Sequence, residues 1–143
     1  MKGLTVCQPH ASAITHGPKR IENRTWFTSY RGPLLIHAGL SGKWIRALAY
    51  EDRQFFERFL GPLEKLPLKA ALATCDLVDV LQEGAAIKRY PDQRPFIMGP
   101  CCWVLENVKP FKTPIPWRGA QGLWSVDEQE LQNARDRMDR YGF

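Results

Sequence analysis

Between residues 17 and 24 the chain reads Gly-Pro-Lys-Arg-Ile-Glu-Asn-Arg. One carboxylate, Glu22, is set among three cations, Lys19, Arg20 and Arg24. These residue types suit two chemistries. Ammonium and guanidinium groups bind phosphate oxygens. A carboxylate beside a lysine can also serve as a general base while the lysine stabilises developing negative charge. On a strand, alternation puts Arg20, Glu22 and Arg24 on one face and Lys19, Ile21 and Asn23 on the other. Lys19 follows the exit of a short helix and can escape that alternation. The plainer alternative is a cross-strand ion pair, worth little at a surface and costly in a cleft.

The charge distribution favours an anionic partner. The chain has 143 residues and a formal charge of +5. Residues 17–47 hold Lys19, Arg20, Arg24, Arg31, Lys43 and Arg46 against Glu22 alone, so this window carries the whole excess. Trp26, Phe27, Tyr30 and Trp44 lie among these cations. Cations contact phosphates and planar rings stack on unpaired bases, so the pattern fits RNA or another single-stranded nucleic acid. A solvated basic face is the competing reading.

Other chemistries lack their signatures. There is no phosphate loop of Walker type and no Gly-x-Gly-x-x-Gly. A Gly-x-Ser-x-Gly elbow, a His-Glu-x-x-His and the zinc-deaminase spacing are also missing. Cys7, Cys75, Cys101 and Cys102 form no Cys-x-x-Cys pair, and His10, His16 and His37 are scattered, so no metal site is expected. The cysteines are expected as reduced thiols packed like small hydrophobes. No apolar run approaches the ~18 residues of a membrane helix. The start does not resemble a signal peptide, and a cytoplasmic protein is expected.

The elements that position the motif follow from periodicity. Strands are expected over 3–7, 19–26, 33–38, 70–80, 101–108 and 122–126. A short helix is expected from Pro9 to Gly17. Another should run over 43–60, capped by Ser41 and broken near Tyr50 where Glu51 and Asp52 interrupt its apolar stripe. Residues 82–95 are polar, with Gly and Pro, and read as a loop. Ser125-x-x-Glu128 is a capping box before a last helix with Leu131, Ala134, Met138 and Tyr141 on its apolar side. Composition is ordinary for a globular chain, 44% hydrophobic and 24% charged, and one domain over 1–143 is expected. Six short strands in so small a chain favour a closed or nearly closed barrel, mainly β with flanking helices.

The spacing Gly17-x-Lys19-x-x-Glu22-x-Arg24 resembles the signature of the ASCH (activating signal cointegrator homology) domain. Gln8-Pro9 and Ala11, the run from Tyr30 to Ala38, Trp103-x-Leu105 and Pro114-Ile115-Pro116 extend the likeness, as do Gly119, Gly122, Leu123 and Trp124. The bacterial and phage branch is the nearest in pattern. The resemblance implies a PUA-like six-stranded β-barrel that binds RNA or a modified nucleoside. It implies a cleft holding Lys19, Glu22 and Arg24, with Gln8 nearby and with His37 and Trp103 as further candidates. Arg20 and Arg31 join the expected basic surface. Were the chain an enzyme, it would be a ribonuclease or nucleoside amidohydrolase. Lys19 and Glu22 would then be catalytic, Glu22 serving as base on a 2′-hydroxyl. The family's N-acetylcytidine amidohydrolases carry Thr where this chain has Glu22, which argues against acyl hydrolysis. No cofactor is expected; a divalent metal enters only if the chain is a nuclease.

Overall fold

The computed structural model describes residues 1–143. Six strands form one sheet: β1 (Lys2–Val6), β2 (Ile21–Arg24), β3 (Gly32–Ala38), β4 (Ala70–Gln82), β5 (Cys101–Pro116) and β6 (Leu123–Ser125). Their order is β2-β5-β4-β3-β1-β6. β1 and β3 run parallel, and every other neighbouring pair is antiparallel. The expected barrel is present as a curled sheet that does not close through its backbone. Its curl brings β2, at one edge, back to β1, four strands away in the order. There Arg24 donates Nη2 to the Thr5 carbonyl at 2.8 Å. A side chain therefore spans the seam where a backbone ladder would close a complete barrel.

Alternation decides which side of the curl each residue faces. Leu34 and Ile36 of β3 join Leu4, Val6, Leu72, Leu77, Trp103 and Leu105 in the inner core. Ala11 and Ile14, from helix α1 (His10–Thr15), complete it. Leu35, between Leu34 and Ile36, points the other way and packs with Ala71, Phe111 and Ile115. That outer layer is covered by Leu131 and Ala134 of the last helix. Each fully buried leucine-sized side chain contributes about 1.5–3 kcal/mol.

The expected break near Tyr50 separates α2 (Lys43–Ala47) from α3 (Tyr50–Leu60). Ser41 precedes α2 and accepts a bond from the Lys43 N–H at 3.0 Å. Phe56 of α3 packs with Ala13, Ile45, Leu63 and Phe96 in a third cluster.

Several expected elements are corrected by the structure. Residues 82–95 are not a loop: they form α4 (Glu83–Arg89) and a 3-10 turn, Pro91–Phe96. Ala86 is buried against Ile21, Ile97, Cys102 and Val104, with Ile87 and Tyr90 beside it. That apolar side is too short to stand out among polar neighbours. Glu83 in the first turn and Lys88 and Arg89 in the last complement the helix dipole. The strand at 101–108 also runs on to Pro116 through three prolines. Pro110 pairs with Ala73 between two register shifts, where a missing N–H is tolerated.

The last helix, α5 (Glu128–Tyr141), starts later than the Ser125 box predicts. Its cap is Asp127, whose Oδ1 accepts from the Glu130 N–H at 2.9 Å. Ser125 instead ends β6 and accepts from Lys2 Nζ at 3.2 Å. Tyr141 is 62% exposed and leaves the apolar side to Leu131, Ala134 and Met138. Asp127→Ala is expected to cost about 1 kcal/mol in chemical denaturation, whereas Ser125→Ala should cost well under half of that. Equal losses would return the cap to Ser125.

Candidate nucleic-acid interface

Lys19 is placed by clamps on its own backbone. Its N–H bonds the Ala13 carbonyl at 3.2 Å, at the exit of α1. Arg20 Nη1 donates to the carbonyls of Ile14, Gly17 and Lys19 at 3.1, 3.1 and 2.7 Å. From the other side, Gln93 Oε1 accepts from the Arg20 N–H at 2.6 Å, and its Nε2 donates to the Pro18 carbonyl at 2.9 Å. Gly17 lets α3 press close, because a Cβ there would lie 2.7 Å from the Phe59 ring and 2.8 Å from the Ala13 oxygen.

The turn so held drives the Lys19 side chain inward, where it is 0% exposed. Its Nζ stands 5.5 Å from the Phe96 ring centroid and 3.5 Å from Glu22 Oε1. Glu22 Oε2 receives Arg24 Nη2 at 2.9 Å. Lys19 and Glu22 therefore converge, which strand alternation alone does not favour. Lys19 escapes the alternation because β2 begins only at Ile21. Glu22 and Arg24 share a face as alternation requires.

This triad backs a cavity of about 450 Å³ at the seam between β1 and β2. Thr5, Cys7, Glu22, Asn23 and Arg24 form its floor and walls, and Leu40, Ser41 and Trp44 form the far rim. Trp44 is 59% exposed. Lys19 does not line the cavity and reaches it through Glu22. Two cationic donors at this site, Lys19 Nζ and Arg24 Nε, are buried without a hydrogen-bond partner in the protein.

Protonation follows from burial. Desolvation pulls the Lys19 ammonium below its ordinary pKa of 10.5, and the Glu22 carboxylate opposes that pull. Burial first, and then the Glu22 charge, push the Cys7 thiol upward. Cys7 is therefore a poor nucleophile at neutral pH. Burial lowers His10 to about 4, with Lys19 adding to the effect, so it stays neutral.

The remaining expected site residues are distributed elsewhere. Gln8 is buried, giving Oε1 to the Ser12 N–H at 2.9 Å and Nε2 to Ser12 Oγ and the Pro67 carbonyl at 2.8 Å each. Its hydrogen bonds go to the fold. Arg20 faces away from the cavity and holds the turn. Trp103 is 0% exposed, edge-on to Trp26 at 4.8 Å, and its Nε1 donates to the Trp26 carbonyl at 3.3 Å. Arg31 bonds the Thr28 and Tyr30 carbonyls and sits over the Phe27 ring. His37 lies beyond Thr5. Its Nε2 faces the Trp117 carbonyl at 2.6 Å and its Nδ1 faces Thr5 Oγ1 at 3.1 Å. A carbonyl only accepts, so Nε2 carries the proton. Burial lowers the His37 pKa, and the neutral ring accepts at Nδ1 from the Thr5 hydroxyl.

Sequence reasoning missed Gln93, Phe96, Thr5 and Cys7 as parts of this region. Gln93 sits in the stretch read as a loop and Phe96 just beyond it, with no local signal. Thr5 and Cys7 carried one, since they alternate with the core-facing Leu4 and Val6. No three His, Cys, Asp or Glu side chains converge as a metal cluster would require. No helix is long and apolar enough to cross a membrane.

Comparison with known proteins gives a consistent result. The chain is 27% identical to human activating signal cointegrator 1 over 135 residues and to the mouse protein over 137. The match covers 92% of this chain but only 23% of each relative. Among solved structures, the ASCH protein of Zymomonas mobilis superposes with a TM-score of 0.54 at 15% identity, covering 92% of this chain and 90% of that one. A point variant of it gives 0.55, with 92% of both chains covered. That likeness establishes the fold. The family model described as the ASCH domain matches residues 4–115, the stretch that holds the triad and five of the six strands apart from their outermost residues, and the chain belongs to the ASCH domain family.

Proposed function

We propose that this chain binds single-stranded nucleic acid, RNA in the first place, at the seam cavity between β1 and β2. The observation that carries the reading is Arg24 in the lining of an open cavity, its Nε buried without a hydrogen-bond partner in the protein. Leaving a buried N–H without an acceptor is costly even where Glu22 balances the charge, and a ligand in the cavity can supply that acceptor. The cavity's 450 Å³ falls in the range of small-ligand sites, room enough for a nucleotide unit. Arg24 meets a phosphate or the Watson–Crick edge of a base. Trp44, exposed on the rim, supplies a stacking surface. The basic excess of residues 17–47 gathers ligand from solution. Glu22 restrains both cations in the free protein and can accept from an exocyclic amine or a ribose hydroxyl.

A binding role fits better than hydrolysis. The Lys19–Glu22 pair holds a base and a cation but has no activated nucleophile of its own, and the Cys7 thiol keeps its proton. Hydrolysis would need a water or a substrate hydroxyl placed against Glu22.

The test is fluorescence anisotropy with labelled single-stranded RNA at two salt concentrations, with parallel gels for cleavage with and without Mg²⁺. Salt-sensitive binding without cleavage is expected. Trp44→Ala should weaken it about 5- to 100-fold, the worth of one base stack. Binding that ignores both salt and Trp44 would overturn the reading. Metal-dependent cleavage lost in Arg24→Ala would convert it into that of a nuclease.

A further inference from the structure

The seam cavity has a neighbour. A second cavity of about 490 Å³ is lined by His37, Leu40, Lys69, Trp117, Arg118 and Gly119. Leu40 belongs to both cavities. The two are also joined beneath the surface, because Thr5 of the first is bonded to His37 of the second. They are consecutive depressions across the β1–β3 pair, where Thr5 and His37 stand in register.

The second cavity has its own anion-binding chemistry. Lys69 and Arg118 are exposed, and none of the protein's ion pairs involves either. No acidic side chain lines this cavity, whereas Glu22 lies in the first. Lys69 is held in place at a cost. Its φ is +53°, a left-handed conformation that a lysine does not favour. Two backbone bonds impose it: the Lys69 N–H to the Gly39 carbonyl and the Trp117 N–H to the Lys69 carbonyl, each 3.1 Å. The same bonds tie together segment 39–40, the start of β4 and the 117–119 segment, so the rim is built from three parts of the chain. Gly119 lets the third part settle onto the Thr5–His37 pair, since a Cβ there would lie 2.6 Å from the His37 ring. Trp117, partly exposed, adds a second aromatic surface beyond Trp44.

We infer that this is a second nucleotide subsite, and that the ligand is an oligonucleotide crossing both cavities rather than a free nucleoside. This inference rests on the seam cavity being a nucleic-acid site. Leu40 separates the two units of the strand. Lys69 and Arg118 take the phosphates on the far side, and Trp117 takes the neighbouring base. The seam then recognises one nucleotide, and the second cavity supplies affinity that depends on length.

The experiment compares a nucleoside 5′-monophosphate with single-stranded oligonucleotides of two to six residues, as RNA and as DNA, by calorimetry and anisotropy. The full chain is used, as wild type and as a Lys69→Asn, Arg118→Ala double variant. Both positions are exposed, and Asn tolerates the left-handed backbone at 69, so the fold is retained; circular dichroism checks this. In the wild type, affinity should rise about tenfold or more between one and three nucleotides. The double variant should lose most of that rise while binding the monophosphate within about twofold of wild type. Its slope of log affinity against log salt should be shallower by about 1.4, as for two single-strand phosphate contacts. A length dependence equal in the two proteins would overturn the second subsite and leave the seam reading intact. Monophosphate binding without any gain from length would do the same. A wild type that binds neither monophosphate nor oligonucleotide at low salt would remove the seam reading and this inference with it. An acidic protein that competes for Lys69 and Arg118 while oligonucleotides do not bind would reassign the surface to a protein partner.

Discussion

Glu22→Ala is expected to destabilise the fold by about 3–5 kcal/mol, the loss seen when one partner of a buried ion pair is removed. The alanine leaves Lys19, 0% exposed, with no counter-charge, and deprives Arg24 of its 2.9 Å carboxylate. In a chain of this size that corresponds to a fall in Tm on the order of 10 °C. Adding Lys19→Met should recover most of the loss, since the second change removes the stranded charge and leaves an apolar stem against Phe96. If the double variant is as unstable as the two single effects summed, Glu22 is not neutralising Lys19. Lys19→Met alone leaves Glu22 paired with Arg24 and should cost little.

The same variants carry a pH signature. The Lys19 pKa is lower in the folded protein than the ordinary 10.5. Between those two values the unfolded chain binds more protons, so stability contributed by this group rises with pH through that window. The rise levels off above the ordinary pKa. Wild type minus Lys19→Met, measured by denaturant unfolding at successive alkaline pH values, should show that upward trend. A flat or falling difference would show that burial does not dominate the lysine.

Arg24→Ala should produce the largest loss of ligand affinity, about 10- to 150-fold for single-stranded RNA, the range of one charge-assisted hydrogen bond. Arg24 both lines the cavity and reaches across the seam to Thr5. Arg24→Lys should recover only part, because a single ammonium cannot reproduce the fork that serves Glu22, the Thr5 carbonyl and a ligand together. Anisotropy titrations of the three proteins at one salt concentration decide it. Affinity in Arg24→Ala equal to wild type would move the site away from the seam.

Much of the positioning was legible because it is local. Period-two alternation assigned Leu4 and Val6 to the core, and it paired Glu22 with Arg24 on one face of β2. The break between α2 and α3 was visible in Glu51 and Asp52. The chemistry of the motif, a carboxylate among cations, was visible from residue types alone. Other features gave no such signal. α4 was hidden because its buried side amounts to Ala86 and two neighbours. The cap of α5 was misplaced by two residues because Ser125 and Asp127 both satisfy the local pattern, and only the end of β6 decides between them.

What the sequence by itself determined was the set of groups, the faces of each short strand and the count of strands that makes a curled sheet. Those depend on spacings of two to four residues, which backbone geometry sets without reference to the rest of the chain. Only the tertiary structure decided which groups meet. Gln93 clamps Arg20 from 73 residues away, and that contact helps turn Lys19 inward onto Glu22. Trp103 is taken into the core by Trp26, 77 residues distant, and Gln8 is spent on Pro67. Arg24 finds Thr5 only because the sheet curls until β2 returns to β1. Contacts of this range depend on how every intervening element packs, so no local pattern encodes them, and they convert a basic motif into a cavity backed by two cations bridged through Glu22.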